Sequence, residues 1–224
     1  TILDPFPLPF IDSLLDEVGK KEIYTFLDGF SGYNQGKMAP EDKDKIAFIT
    51  EWGVFMAPMM MFGLKNAPAT FQRMVLEIFY DYLTDFMKVF VDEFSVAGDK
   101  TRHLFHLRLC LQKCQDTRLK LNPSKCAFAV RSGALLGHIV SKEGLSIDTE
   151  KIESIQNMKE PTTTKQVERF LGKVKWHRRF IRYLAHVACP LYQLTRKDAI
   201  FAWTAECKQS FELLKKMLTM APIM

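Results

Sequence analysis

The 224-residue sequence has no apolar run long enough to cross a bilayer and no charged leader followed by an apolar core. Its longest nearly apolar stretch, residues 52–64, falls short of the roughly 20 residues that a transmembrane helix needs. The five cysteines are odd in number and widely spaced, which argues against a disulfide framework. These absences predict a soluble, intracellular protein that has no membrane partner.

An excess of one charge sign is also absent from most of the chain, which has 31 Lys or Arg, 26 Asp or Glu and a net charge of +5. The excess is concentrated in residues 165–182, which contain seven Lys or Arg and one acid, Glu168. Such a segment predicts an anionic partner, with a phosphate backbone as the usual candidate. An ordinary solvated helix face is the alternative.

The hydrophobic periodicity predicts an α+β fold in which a mixed first half precedes a wholly helical, basic second half, with a boundary near Asp148. The chain is 47% hydrophobic, which is enough for a real core. Asn66 is predicted to cap one helix, with Pro68 in its first turn. Helices are predicted at 11–18, 67–86, 102–118, 148–158, 163–174 and 178–195, and strands at 22–28, 88–96 (a hairpin), 126–130 and 135–147, the last broken at Gly144.

Three acids occupy positions that suit metal binding. Asp28 falls at the end of a predicted strand, and Asp92 with Glu93 falls at the tip of the predicted hairpin. Phosphoryl transfer by two divalent cations about 4 Å apart uses clustered carboxylates, and Mg²⁺ prefers such hard oxygen ligands. From the pattern alone, solvated turn acids are the alternative.

A stripe of possible zinc ligands runs along one predicted helix: His103, His106, Cys110 and Cys114. The outer pair is separated by about 16 Å of helix, which is too far for one ion with bonds of roughly 2 Å. We therefore predict a buried or half-buried helix face and no zinc site.

Six ordered segments resemble successive polymerase blocks of one family. They are LDGFSGYNQ (27–35), MFGLKNAPATFQRMV (61–75), VFVDEFSV (89–96), LNPSKCAF (121–128), LLGHIVSKEGLSID (135–148) and FLGKVKWHRRFI (170–181). The chain is similar to reverse transcriptases of gypsy-type (Metaviridae) long-terminal-repeat retrotransposons, with the look of plant members around Asp28 and Asp92. The resemblance implies a right-hand polymerase: a palm with partial fingers at 1–147, a helical thumb-like region at 148–200, and the start of a connection towards ribonuclease H at 201–224.

The resemblance also implies an activity and partners. It implies an RNA-directed DNA polymerase that adds deoxynucleotides to a primer 3′ end on an RNA or DNA template, using two Mg²⁺ ions, for which Mn²⁺ can substitute. The chain begins without methionine and ends in mid-pattern, so we expect a piece of a polyprotein that also carries ribonuclease H and integrase. A cytoplasmic location, in a virus-like particle, follows from the same resemblance.

The family motifs assign catalytic roles to particular residues. By resemblance, Asp28, Gly29 through its carbonyl, Asp92 and Glu93 hold the metals, and Phe90 stands where the signature has tyrosine. Glu93 replaces the second signature aspartate, and its extra methylene predicts a weakened enzyme, because misplacement by about 1 Å can cost roughly 100-fold in rate. On this argument Glu93→Asp should raise the rate.

The remaining site residues are carried over in the same way. By resemblance, the incoming nucleotide meets Gly32, Tyr33, Phe62 and Gly63, with Tyr33 excluding a 2′-hydroxyl and Met61 standing where the family usually has proline. The primer and template are expected to meet Leu136, Gly137, His138, Lys165, Arg169, Lys173, Arg178, Arg179 and Arg182. These contacts would hold phosphate without reading sequence.

Two alternatives stay open at this point. A degenerate copy could still fold and bind nucleic acid through residues 165–182 without polymerising, as the departures at Glu93 and Met61 suggest. A two-metal nuclease would share the carboxylate chemistry but would leave the six family blocks unexplained.

Overall fold

A computed structural model describes residues 1–197 and 199–224. The chain divides into two units, one formed by Thr1–Leu136 with Val140–Lys142 and the other by Gly137–Ile139 with Glu143–Met224. The first unit mixes helices and strands and the second is mainly helical, so the α+β prediction is confirmed. The assignment of palm, thumb and connection to residue ranges stays a prediction.

The first unit contains most of the strands. Its elements are α1 (Ile11–Val18), β1 (Ile23–Asp28), β2 (Phe48–Thr50), β3 (Gly53–Phe55), α2 (Ala67–Ile78), β4 (Met87–Phe90), β5 (Glu93–Gly98), α3 (His103–Thr117), β6 (Ala127–Val130) and β7 (Ser132–Leu135). The short strands β2 and β3 form a separate two-stranded sheet that the sequence analysis did not predict.

A four-stranded antiparallel sheet in the order β4-β5-β1-β6 positions the acids. Its central strand β1 is buried along most of its length. One hydrophobic core joins the sheet to α2. It contains Leu27 and Phe94 of the sheet, Phe71 and Val75 of α2, and Phe79, which directly follows α2. Burial of these large side chains, each contributing about 1.5–3 kcal/mol, holds the helix on the sheet.

The predicted hairpin at 88–96 is confirmed, with one correction. Its strands are linked by Val91 and Asp92, and Glu93 is already paired with Phe90 as the first residue of β5. Glu93 is therefore a strand residue and does not stand at the tip as predicted, because pairing on both sides draws it into the sheet.

The long helix predicted at 67–86 ends earlier than expected. α2 stops at Ile78, and a 3₁₀ turn at Tyr80–Tyr82 follows. Pro68 lies in the first turn as predicted. The Asn66 side chain does not cap the helix; instead it accepts a hydrogen bond from the Asp4 N–H and donates one to the Ile2 carbonyl.

The prediction for the face of α3 is confirmed. His103 is buried and hydrogen-bonds to the Thr25 hydroxyl at 2.8 Å, while His106 stacks on Phe86. Cys110 and Cys114 are buried, and burial raises the pKa of the Cys110 thiol to about 12. These side chains serve the core of the first unit.

The second unit is built on helices. Strand β8 (His138–Ser141) has residues in both units. The elements after it are β9 (Gly144–Ile147), α4 (Thr149–Gln156), α5 (Thr164–Trp176), α6 (Leu184–Val187), α7 (Cys189–Gln193) and α8 (Ala205–Thr219). Phe170 of α5 and Phe211 of α8 are fully buried, with ring centroids 4.5 Å apart.

The helix predicted at 178–195 is wrong as a single element. A 3₁₀ turn at Arg178–Phe180 is followed by the short α6 and α7, and Tyr183 adopts a left-handed conformation at φ +55° that interrupts the helical path. The predicted strand region 135–147 likewise resolves into the end of β7, β8 and β9.

In residues 1–197 and 199–224, no helix combines the length and apolarity required to cross a membrane.

Candidate active site

Two of the three predicted acids face each other across neighbouring strands. Asp28 at the end of β1 is the direct register partner of Glu93 at the start of β5. Opposed residues of an antiparallel pair have Cβ atoms about 4.5–5.5 Å apart and point to the same side of the sheet. Asp28 also forms an ion pair with Lys125, whose Nζ lies 3.4 Å from Oδ2.

The third acid, Asp92, is held against the segment that follows β1. The Gly29 N–H donates a hydrogen bond of 2.7 Å to the Asp92 carbonyl. A Cβ atom added at Gly29 or at Gly32 would lie 3.4 Å from the Cβ of Asp92. The structure therefore brings Asp28, Gly29, Asp92 and Glu93 to one end of the sheet.

The hairpin tip is held by hydrogen bonds to a helix residue that was not among the predicted site residues. Gln72 of α2 is fully buried; its Oε1 accepts a hydrogen bond of 2.5 Å from the Val91 N–H, and its Nε2 donates one of 3.3 Å to the Val89 carbonyl. Val91 has φ +52°, which is unusual for a β-branched residue. Gln72 thus stabilises the strained residue that immediately precedes Asp92.

The carboxylate of Glu93 has a backbone partner. Its Oε2 accepts a hydrogen bond of 2.9 Å from the Leu136 N–H. Burial raises the pKa of the Glu93 carboxyl above its usual value; the hydrogen bond from Leu136 lowers it, and the charges of Asp92 and Asp28 raise it further. The three acids are therefore close enough to influence one another.

The carboxylate oxygens of the three acids are the possible ligands for divalent cations at this site. The acids offer hard carboxylate oxygens, and Mg²⁺ in phosphoryl-transfer sites takes one or two carboxylates together with substrate phosphate. In the part of the chain that the structure describes, no cluster of three or more His, Cys, Asp or Glu side chains has metal-binding spacing. Asp28 and Asp92 supply the one or two hard carboxylates that Mg²⁺ takes, whereas the Glu93 carboxylate already accepts a hydrogen bond from the Leu136 N–H.

The predicted nucleotide-side residues form a second group in the first unit. Tyr33 makes edge contacts with Phe62 and Phe71, with ring centroids 5.1 and 5.9 Å apart. Burial raises the pKa of the Tyr33 hydroxyl, and the nearby charge of Asp92 raises it further. Gly63 has φ +90°, a conformation open to glycine at little cost.

Gly32 meets the same aromatic cluster. It is buried, and a Cβ atom there would approach the Phe71 ring to 2.9 Å. Phe62 is 65% exposed, so its ring is accessible to a ligand. Tyr33, Phe62 and Gly32 therefore lie around one aromatic cluster, and their role in nucleotide binding stays a prediction.

The turn expected to meet the primer has unusual backbone geometry. Leu136 and Gly137, with φ +49° and +74°, connect β7 to β8. A Cβ atom at Gly137 would lie 2.8 Å from Trp176 Nε1. His138 is buried and stacks with Trp176 and Phe180. Glycine is required at 137 for both the dihedral angle and the space.

The predicted division of α5 into an apolar and a basic face is confirmed. Val167, Phe170, Leu171 and Val174 are buried, whereas Lys165 and Arg169 are exposed. Beyond them Lys173 is half-buried and donates a hydrogen bond of 2.9 Å to the Ser154 hydroxyl. Arg178 and Arg182 are exposed and Arg179 is half-buried. The exposed side chains of Lys165, Arg169, Arg178 and Arg182 therefore lie where they can meet an anionic ligand. Arg179, which was predicted to bind primer or template, differs, because two nitrogens of its guanidinium group are buried.

Comparison with known proteins gives one family match and several similar proteins. The family model described as reverse transcriptase (RNA-dependent DNA polymerase) matches residues 2–140. The chain is 33% identical over 97% of its length to the retrovirus-related Pol polyprotein from transposon 412 of Drosophila melanogaster, covering 18% of that protein. It is 38% identical over 88% of its length to the Pol polyprotein from transposon opus of the same species, covering 20%.

A further transposon polyprotein and a solved structure are also similar to the chain. The Tf2-3 transposon polyprotein of Schizosaccharomyces pombe is 30% identical over 98% of this chain, which covers 16% of it. The foamy viral protease-reverse transcriptase in complex with RNA/DNA hybrid superposes with a TM-score of 0.91 at 20% identity, over 100% of this chain and 31% of that one. The polymerase-palm fold expected from the sequence is thereby confirmed. The chain spans about a fifth of the length of the polyproteins it matches.

Proposed function

Because the chain belongs to the reverse transcriptase family, as found in retrotransposon Pol polyproteins, we propose that it is the core of an RNA-directed DNA polymerase of a gypsy-type long-terminal-repeat element. The proposal is carried by one observation. Asp28 is paired with Glu93 across β1 and β5, and Asp92 is hydrogen-bonded through its carbonyl to Gly29, at one end of the sheet.

Divalent cations complete this site in the proposal. Asp28 and Asp92 would hold two Mg²⁺ ions, assisted by the Gly29 carbonyl and by the charge of Glu93, and Mn²⁺ has similar ligand preferences. Such ions, when bound, activate the attacking primer 3′-hydroxyl and neutralise charge on the triphosphate. The protein's own part is positioning and charge stabilisation, since phosphoryl transfer asks for little covalent chemistry.

The incoming deoxynucleoside triphosphate would lie beside Asp92 on the aromatic cluster. Tyr33 is held by Phe62 and Phe71, and this support favours a rigid ring beneath the sugar that leaves no room for a 2′-hydroxyl. Gly63, which has open space around its Cα, admits the ligand close to the backbone, and Gly32 makes room for the Phe71 ring that supports Tyr33. Deoxynucleotide selection is therefore assigned to Tyr33.

The template and primer would be held mainly through phosphate. The turn at Leu136, Gly137 and His138 serves the primer end, and the exposed basic side chains of α5, with Arg178 and Arg182, serve the backbone. Foamy viral relatives of this fold have been solved with RNA/DNA hybrid and with double-stranded DNA. Ribonuclease H and integrase on the same polyprotein, and a cytoplasmic virus-like particle, belong to the same proposal.

Primer extension tests the proposal directly. The 224-residue protein is given an RNA or DNA template, a primer and deoxynucleotides in Mg²⁺ or Mn²⁺, beside Asp92→Asn and the exposed control Asp81→Asn. We expect metal-dependent incorporation by the parent and by Asp81→Asn, and background levels for Asp92→Asn.

Two results would contradict it. Tight binding of primer–template by the parent without incorporation in either metal would favour the degenerate nucleic-acid-binding remnant. Incorporation that survives Asp92→Asn would remove Asp92 from the mechanism.

A further inference from the structure

The turn between β7 and β8 has a sequence that does not suit its conformation. Leu136 and Gly137 are its two linking residues, and both have positive φ, the combination of a type I′ turn. The first position of such a turn favours Asn, Asp or Gly, because a residue with a bulky side chain rarely adopts φ > 0. Leu136 therefore needs an interaction elsewhere in the fold to hold it at φ +49°.

That interaction comes from a residue 43 positions earlier. Glu93 Oε2 accepts the hydrogen bond from the Leu136 N–H at 2.9 Å. Leu136 is 7% exposed and Glu93 is half-buried, so water competes weakly for this bond. A charged acceptor also makes the bond stronger than one between neutral groups.

The length of the glutamate side chain is what makes the contact. The backbone of Glu93 is fixed on both sides, by pairing with Phe90 in β4 and with Asp28 in β1. An aspartate at this position would be shorter by one carbon–carbon bond, about 1.5 Å. Its oxygen would then fall beyond the roughly 3.2 Å limit of a normal N–H···O bond.

We propose that Glu93 is a positioning residue whose carboxylate holds the Leu136 turn in register with the neighbouring Asp92. The inference rests on the proposed function, in which this turn meets the primer end and Asp92 serves the reaction. It gives the extra methylene of Glu93 a use: the glutamate spans a gap that the aspartate typical of the family would leave open in this chain.

Hydrogen exchange tests the contact without any need for catalysis. The exchange rate of the Leu136 amide is measured, by NMR or by mass spectrometry with single-residue fragmentation, in the parent protein, Glu93→Gln, Glu93→Asp and Glu93→Ala. Gln keeps an oxygen acceptor at the same reach, whereas Asp keeps the charge but loses the reach. We expect exchange to stay close to the parent rate in Glu93→Gln and to rise by about 10-fold or more in Glu93→Asp and Glu93→Ala.

Primer binding supplies the functional readout. The dissociation constant for primer–template, measured without nucleotide, should rise by about 10-fold in Glu93→Asp and stay near the parent value in Glu93→Gln. Glu93→Gln should instead lower kcat at an unchanged KM for the primer, because it removes only the charge. Primer affinity that is kept in Glu93→Gln and lost in Glu93→Asp is not explained by loss of charge or by general destabilisation of the fold.

The outcomes separate this inference from the proposed function. Parent-like protection of the Leu136 amide in Glu93→Asp would overturn the inference, as would equal loss in the Gln and Asp variants or a gain in primer affinity in Glu93→Asp. If the parent fails to incorporate nucleotides, the polymerase proposal fails, while amide exchange and primer affinity still decide whether Glu93 positions the turn.

Discussion

Replacement of Gln72 by leucine should disturb the hairpin that contains Asp92 without removing any of the three acids. The substitution preserves a side chain of similar size but removes both hydrogen bonds to the hairpin, one from the Val91 N–H and one to the Val89 carbonyl. Gln72 is fully buried, so water cannot replace the lost partners without opening the core.

The expected magnitude follows from these two contacts. Each buried backbone group left without a partner costs about 1–3 kcal/mol, so the loss of both partners should lower the free energy of unfolding by about 2–6 kcal/mol. Val91 also loses the bond that holds it at φ +52°. If the tip relaxes and Asp92 moves by about 1 Å, the rate of incorporation should fall roughly 100-fold.

The assay compares kcat for primer extension with stability measured by urea unfolding, at a temperature at which the variant is still folded. Gln115→Leu is the matched control, because it makes the same chemical change at an exposed helix position. A Gln72→Leu protein with control-like kcat and control-like unfolding would refute the reasoning, since it would show that the hairpin tip holds its geometry without the glutamine.

Two further predictions concern the second unit. The double variant Lys165→Ala, Arg169→Ala should bind primer–template more weakly, and the magnitude of the slope of log K against log salt should fall by about 2. The control variant Lys21→Ala, Arg102→Ala loses the same charge and should leave the slope unaltered. Equal slopes for the two double variants would exclude α5 from the interface. Burial, with a smaller contribution from neighbouring positive charge, lowers the pKa of His177 to about 4. This pKa lies below the roughly 6.5 of an unfolded histidine, so between pH 4 and pH 6.5 the unfolded state binds more protons than the folded state. The free energy of unfolding should therefore keep its full value above pH 6.5 and fall by up to about 3 kcal/mol as the pH is lowered towards 4. Urea unfolding as a function of pH should reveal that loss, and His177→Phe should flatten it.

The apolar periodicity located most of the helices, but it merged the separate elements of residues 178–195 into one helix and misjudged where α2 ends. The pattern at Phe79, Tyr82 and Phe86 continues that of α2, and all three side chains belong to or pack on the same core. The backbone nevertheless leaves the α-helix after Ile78 for a 3₁₀ turn. Periodicity reports which side chains face the core, and a tight turn can keep them there, so the pattern cannot distinguish the two conformations.

The grouping of Asp28 with Asp92 and Glu93 could be anticipated because family motifs mark each of them. Gln72 could not, although it stands inside a recognised block. A glutamine within a helix gives no local indication of whether its amide faces solvent or a hairpin 17 to 19 residues further along the chain. The partner of Glu93 was hidden for the same reason, since Leu136 lies 43 residues away.

These two missed contacts have the same physical form. Val91 and Leu136 are bulky residues at positive φ, and the backbone N–H of each donates to a side-chain oxygen, Gln72 Oε1 or Glu93 Oε2, supplied from a distant part of the chain. Strained backbone persists only where the surrounding structure over-determines it. Val91 directly precedes Asp92, and Leu136 is bonded to its neighbour Glu93, so long-range polar contacts add to the hydrophobic core in stabilising the site. Local sequence rules predict neither the strain nor its compensation, and both must be present together for the acids to keep their positions.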